Sequence, residues 1–395
     1  MNRRDLVTAL LAAPLLGTGC SRAAGGLYDN VDVRFDGHVL VIGAGAAGLA
    51  AGYLLDRYGV DYEILEASDR WGGRVGRLDG FLDFPIDLGA EWIHADPSIL
   101  ADLVDDPTVR GDVDVIRYSP QTSVLTIDNG TIPVDFVHAY YGEYKFKRST
   151  WYGFLERFIQ PASASRLRLN TPVTAVDTQG PQVRVTLDDG SVEVADRVLL
   201  TVPLKILQEA RIGFTPPLPA AKQAAIDAVT VTDGLKVFLA FEEKFYPDMT
   251  VLGFDQEGSG DHLFIDGAFR KDAEGHLGTL FCVGPRAADY VDLDDADVVD
   301  RLVQRLDRAF EGAASRTLLD AHVQNWSREP WIRGAYSYGW SGSPDTIIDE
   351  LAADVGRQLY WAGSGVSRFA TSTVHGAMET GYAAVVRMLE QPTRG

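Results

Sequence analysis

The stretch VLVIGAGAAGLAAGYLLDRYGVDYEILEASDRWGGR, Val39 to Arg74, decides the fold class. Its apolar opening, Val39 to Ile42, reads as a buried strand running into Gly43, Gly45 and Gly48, and a helix is expected from there to about Tyr58. Gly43 permits the tight turn. Gly45 lets a pyrophosphate approach the backbone at the helix N-terminus, and Gly48 allows the helix to pack closely on the strand. A second strand, Tyr62 to Leu65, ends in Glu66, where a carboxylate accepts hydrogen bonds from a ribose diol. A glycine-rich turn can be only a turn, but here the strand, turn, helix, strand and acid occur in order. This fingerprint by itself does not separate NAD from FAD.

With 395 residues, 46% of them hydrophobic, the chain is long enough for a large core and about two domains. Its formal net charge of -20 repels nucleic acid, so no nucleic-acid partner is expected. The acidic run Asp292 to Asp300 reads as the start of a helix continuing to Phe310. Residues 1–25 read as an export or lipoprotein signal and linker. Arg3-Arg4 precede the apolar stretch Leu6 to Leu16, a twin-arginine pattern, and Gly17-Thr18-Gly19-Cys20 approximates a lipoprotein box. The expectation is an exported protein, periplasmic or anchored to the membrane by lipid at Cys20. Only Cys20 and Cys282 occur, so a mature chain without the signal forms no internal disulfide, and Cys282 reads as a buried thiol in an apolar strand. No cluster of His, Cys and carboxylates has metal-ligand spacing, and no metal is expected.

Beyond Glu66, the continuation Ala67, Arg70 and Gly72-Gly73-Arg74 resembles the flavin-containing amine oxidases, whose Gly-Gly-Arg turn adds an arginine to the FAD pyrophosphate. Two later segments resemble the same family. From Asn170 to Pro203, alternating strands broken at Gly180-Pro181 and Asp188-Asp189-Gly190 read as a meander that returns to a parallel sheet. There the resemblance places Val173 near the adenine. Near the C-terminus, Tyr360-Trp361-Ala362-Gly363 reads as a strand end, and the run from Thr373 opens a helix that Ser372 or Thr373 can cap. The resemblance brings Gly363, Thr373 and Val374 to the flavin, with the helix dipole supporting charge on the reduced ring. Where the family has Glu after Ala-Gly, this chain has Ser364.

The fold implied is α/β: a Rossmann-like FAD-binding domain of the GR2 type, built from residues 36–96, 165–203 and 345–395, plus an α+β substrate-binding domain from 97–164 and 204–344. Pro97 to Pro161 reads as mixed and partly helical. The cofactor set is Gly43, Gly45, Gly48, Glu66, Ala67, Arg70, Gly73, Arg74, Val173, Gly363, Thr373 and Val374. FAD is expected to be non-covalent, since Ala335 stands where covalently flavinylated relatives carry Cys.

Three residues are the catalytic candidates. Alternation in Gly234 to Phe241 sets Lys236 on the face opposite Leu235, Val237 and Leu239, among apolar neighbours where a lysine is costly unless solvated or paired. The resemblance assigns it a water at flavin N5 and a positive charge that assists electron transfer to dioxygen. A lysine at a sheet edge is the other reading. Tyr336, in the aromatic stretch Trp331 to Trp340, is implied beside the flavin ring, and His94 ends the Trp92-Ile93-His94 turn that resembles polyamine oxidases. Glu91, Trp92, His94, Tyr336 and Trp340 form the expected substrate set.

The activity implied is hydride transfer from the α-carbon of a small amine, polyamine-like or other, to flavin N5, giving an imine that hydrolyses to an aldehyde. Dioxygen, yielding peroxide, or a periplasmic electron carrier would reoxidise the flavin. A flavin desaturase or porphyrinogen oxidase, and an exported flavoprotein without turnover, are the competing readings.

Overall fold

The computed structural model describes residues 31–109, 113–127, 130–134, 143–253 and 262–392. Arg3, Arg4 and Cys20, on which the export and lipid-anchor expectations fall, lie outside the described residues.

The sequence that decides the fold forms the middle of a five-stranded sheet, in the order Leu359–Trp361, Arg197–Leu200, His38–Ile42, Asp61–Leu65, Leu167–Arg168. Every neighbouring pair is parallel. Val39 to Ile42 and Val198 to Leu200 are buried, as uninterrupted apolar runs must be when helices cover one face of a parallel sheet and a second layer the other. The helix Ala46–Arg57 follows the glycine turn and packs against the C-terminal helix Val374–Leu389, with Ala47, Leu54, Met378, Tyr382 and Val385 in one core. A Cβ at Gly381 would come within 2.4 Å of the Ala47 carbonyl, so the absent side chain sets how closely these helices approach.

On the other face lies the expected meander, Val173–Asp177, Val183–Leu187 and Val192–Ala195, which feeds into Arg197–Leu200. Gly213–Thr215 joins it in parallel with Val173–Asp177, so the chain stays with this layer past residue 204 before crossing over.

The second body is a seven-stranded sheet in the order Leu318–Asn325, Gly234–Phe241, His276–Val283, His262–Asp266, Met249–Val251, Ser123–Ile127, Gly130–Pro133. Its neighbours are antiparallel except Met249–Val251 with Ser123–Ile127. Gly234–Phe241 is therefore a central strand, and all eight of its residues are buried. Lys236 cannot be an edge lysine. One face of the strand packs Leu235, Val237 and Leu239 against Val298, Leu302 and Leu306 of the helix Asp295–Ala309, whose first turn carries Asp295 and Asp297 as expected. Cys282 is fully buried in His276–Val283.

Pro97 to Pro161 holds more strand than its mixed reading suggested. Besides the helices Ile99–Val104 and Trp151–Phe158, it contributes Val115–Tyr118, Ser123–Ile127, Gly130–Pro133 and Glu143–Phe146. Each run is only four or five residues long, too short for periodicity to separate strand from helix; Ser123–Ile127 and Gly130–Pro133 pair with each other, while Val115–Tyr118 finds Glu143–Phe146 and Ser123–Ile127 also finds Met249–Val251 farther along the chain. Among the described residues no helix is long and apolar enough to cross a membrane, and no cluster of metal-ligating side chains occurs.

Candidate active site

A cavity of about 1510 Å³ runs from the glycine turn to the seven-stranded sheet. Pockets for drug-sized ligands reach about 1,000 Å³, so this one has room for a dinucleotide and a second small molecule. At one end, two backbone turns are joined. Gly43 takes φ 104°, Gly72 and Gly73 take 102° and 58°, and the Gly72 amide donates to the Ala44 carbonyl at 2.8 Å. Gly45 and Gly72 face each other across an isolated bridge. A Cβ on Gly48 would lie 1.9 Å from the Gly43 oxygen, whereas one on Gly45 would meet nothing within 4 Å. Gly48 therefore serves packing, and Gly45 leaves the helix N-terminus bare. No side chain caps that helix, so its first amides and the positive end of its dipole face the cavity.

Glu66 follows the second strand and is buried. Its Oε2 accepts from the Ala44 amide at 2.7 Å and its Oε1 from the Ser68 amide at 2.9 Å. Each oxygen keeps a lone pair for a ribose hydroxyl. Arg70 lines the cavity, but its guanidinium donates to the carbonyls of Gly73 at 3.0 Å and of Trp71 and Val75 at 3.4 Å, tying the turn together. Arg74 reaches the wall and donates to the Ser364 hydroxyl at 2.9 Å. Burial pulls its pKa down, and the Tyr336 phenol partly offsets this. A guanidinium held by a neutral hydroxyl in that position suits a diphosphate.

Ala67, Val173, Gly363, Thr373 and Val374 all reach the same wall. Thr373 caps the C-terminal helix by accepting from the Gly376 amide at 3.0 Å. The indole N–H groups of Trp340 and Trp361, both on the cavity wall, are buried and have no partner among the described residues, so acceptors from a bound molecule would satisfy them. Uncapped amides, a buried arginine and orphaned donors together fit an anionic, acceptor-rich dinucleotide.

The catalytic end carries a buried charge network. Lys236 is 3% exposed, and its Nζ donates to Glu91 Oε2 at 2.8 Å and to the Asp87 carbonyl at 3.4 Å. The other oxygen of Glu91 accepts from Lys145 at 3.2 Å, and Lys145 is 1% exposed. Burial alone would raise the pKa of Glu91, but Lys236 and Lys145 hold it down at about 2. Asp87 is pushed up, first by burial and then by Glu91, and Lys271 is pushed down by burial and by Lys145. Lys145 also lies 5.4 Å and 4.9 Å from the ring centres of Trp92 and Tyr118. Glu91, placed in the expected substrate set, has each of its oxygens hydrogen-bonded to a buried lysine.

His94 pairs through Nδ1 with Glu143 at 3.2 Å, and both line the cavity. Trp92, Tyr336 and Trp340 lie on the wall as well. Sequence reasoning missed Asp87, Glu143, Lys145 and Lys271. Lys145 sits in the strand Glu143–Phe146, which is too short for its pattern to mark the lysine as buried, and nothing in the chain marks its partner.

The family model for flavin containing amine oxidoreductase matches residues 46–156 and 135–389. The chain is similar to lysine-specific histone demethylase 1B of Mus musculus, at 26% identity over 93% of this chain and 54% of the relative. It is also similar to lysine-specific histone demethylase 2 of Homo sapiens, at 27% over 87% and 52%. Polyamine oxidase 4 of Oryza sativa subsp. japonica is 26% identical over 88% of this chain and 87% of its own length. The chain thus spans about half the length of the two demethylases. Fold, cofactor cradle and family match agree: this chain belongs to the flavin containing amine oxidoreductases, and its cofactor is non-covalent FAD.

Proposed function

We propose that the protein is an FAD-dependent amine oxidase acting on a small amine. Bound FAD supplies a two-electron acceptor for hydride from the amine α-carbon, and dioxygen or a periplasmic carrier takes the electrons onward. On this reading Gly45, Arg74 and the bare N-terminus of Ala46–Arg57 hold the diphosphate, Glu66 the ribose, and the helix capped by Thr373 the ring. Tyr336 and Trp340 bound the amine and exclude water, and His94, oriented by Glu143 at Nδ1, presents its other ring nitrogen to the amine.

The observation that carries the reading is Lys236: a buried ammonium on the cavity wall, fixed by Glu91 and the Asp87 carbonyl. A desaturase acting on apolar substrates has no evident use for it. A fixed positive charge in a dry site would assist electron transfer to dioxygen.

Anaerobic mixing of the yellow protein with polyamines, aryl amines and amino acids tests the proposal. Loss of flavin colour with one of these classes supports it, and retained colour with all of them refutes it. Export by the twin-arginine segment, with lipid at Cys20, belongs to the same proposal and is tested by cell fractionation of the parent and a Cys20→Ser variant.

A further inference from the structure

The cavity floor beyond Lys236 is a single row of side chains set by strand register. Lys236 pairs across the sheet with Phe281, Phe281 with Leu263, and Leu263 with Val251, so all four share one face. All four line the cavity, as does Met249 two residues before Val251. Starting from the lysine, the row is entirely apolar. Trp92 and Leu263 both pack against the apolar cluster that contains Met249.

The charges bordering this floor are wrong for a second ammonium. Lys236 stands at one end, and Arg286 brings a guanidinium to the cavity wall close to Val283. Glu91 is held by Lys236 and Lys145, and Glu143 pairs with His94. Glu329, also on the wall, accepts from Gln324 at 2.8 Å. His262 adds no negative charge. The other wall carboxylates are Glu66 and Asp69, in the segment after the second strand of the parallel sheet, and Asp345, which pairs with Arg368 at 3.9 Å, so among the described residues no wall carboxylate belongs to the strands that carry the floor. Laying an ammonium on apolar side chains without a partner costs far more than laying a methylene there.

We propose that this cavity selects an amine carrying one positive nitrogen and an apolar aryl or alkyl arm, which lies along Phe281, Leu263 and Val251, and that it discriminates against linear polyamines. The inference rests on the oxidase reading above and narrows its substrate class. It departs from what the names of the polyamine oxidase relatives would suggest for this chain.

The test uses the holoprotein under anaerobic conditions, comparing flavin bleaching by phenethylamine and hexylamine with bleaching by putrescine and spermidine. The apolar amines should react with a second-order rate constant larger by on the order of 100-fold. Polyamines that react equally fast or faster overturn the inference and leave the oxidase reading intact. If no amine bleaches the flavin, the oxidase reading falls, and binding then decides the cavity's preference. Thermal stabilisation by phenethyl alcohol and not by spermidine supports the apolar floor, and the reverse overturns it. Leu263→Glu, or Val251→Glu should the first variant fail to fold, should shift the ratio of putrescine to hexylamine rates upward by about tenfold. An unchanged ratio in a folded variant counts against the floor as the site of the arm.

Discussion

Nζ of Lys236 lies 2.8 Å from Oε2 of Glu91, although the two residues are 145 positions apart and both are buried. The second oxygen of the same carboxylate holds Lys145. One acid therefore pairs with two ammonium groups, which leaves an excess positive charge in a region where stranding a further one is expensive. Glu91→Gln should destabilise the fold by roughly 3–5 kcal/mol, the range for breaking a buried pair. Glu91→Gln combined with Lys145→Met should lose less than the single Glu91 variant, because one stranded charge has gone. Denaturant unfolding of the parent, the two single variants and the double variant checks this, and additive losses would argue against a coupled network.

The glycine turn makes a sharper prediction, because Gly45 and Gly48 should respond differently. A Cβ on Gly45 meets nothing within 4 Å, whereas one on Gly48 runs into the Gly43 oxygen at 1.9 Å. Gly45→Ala should leave the melting temperature of the apoprotein within a degree or two of the parent, by roughly the small change expected where nothing is displaced, and weaken FAD binding. Gly48→Ala should lower both. Calorimetry of apoprotein and titration with FAD separate the two outcomes, and a destabilised Gly45→Ala apoprotein would contradict the assignment.

Arg74 is held by a neutral hydroxyl, 2.9 Å from Ser364. Hydrogen bonds to charged groups contribute about 1.5–3 kcal/mol, so Arg74→Ala should weaken FAD binding by roughly ten- to hundred-fold. Ser364→Ala should weaken it less, because the guanidinium remains. Equal losses in the two variants would mean that the arginine acts through the serine and not on the diphosphate.

His375 gives a pH dependence with a definite sign. It is buried at the start of the C-terminal helix, with His94 and Glu143 facing it, and burial followed by His94 lowers its pKa to about 4 from the ordinary 6.5. Between these values the unfolded chain binds the proton and the folded chain does not, so acid favours unfolding. The stability at stake is fully present above the ordinary value and is lost as pH falls toward about 4, an effect of roughly 3 kcal/mol. His375→Leu should therefore lose less stability between neutral pH and pH 4 than the parent does. Parallel stability curves over that window would show that another group carries the acid sensitivity.

Much of the cofactor end was legible in the sequence because its determinants are local. The turn at Gly43 to Gly48, the acid at Glu66 and the cap at Thr373 each lie within a few residues of the structure they specify. Alternation along one strand set Lys236 among apolar neighbours, but its burial follows from the strand being central in the sheet. The identity of its partner was not legible, because strand register and the path of residues 87–91 decide it, and neither leaves a local signal. For the same reason the apolar floor was hidden: Phe281, Leu263 and Val251 are adjacent only after three strands have paired. The strands between Pro97 and Pro161 were obscured by their length, since four residues carry no periodicity of their own.

The most direct measurement follows both halves of turnover on one sample, first reduction by an amine without oxygen and then reoxidation on admitting it, for the parent and for Lys236→Met. Removing the buried ammonium from the cavity wall should leave reduction within a few-fold of the parent and slow reoxidation by roughly 100-fold, in line with the loss of one placed electrostatic group. Reoxidation at the parent rate in a folded, FAD-loaded Lys236→Met protein would contradict the role assigned to that lysine.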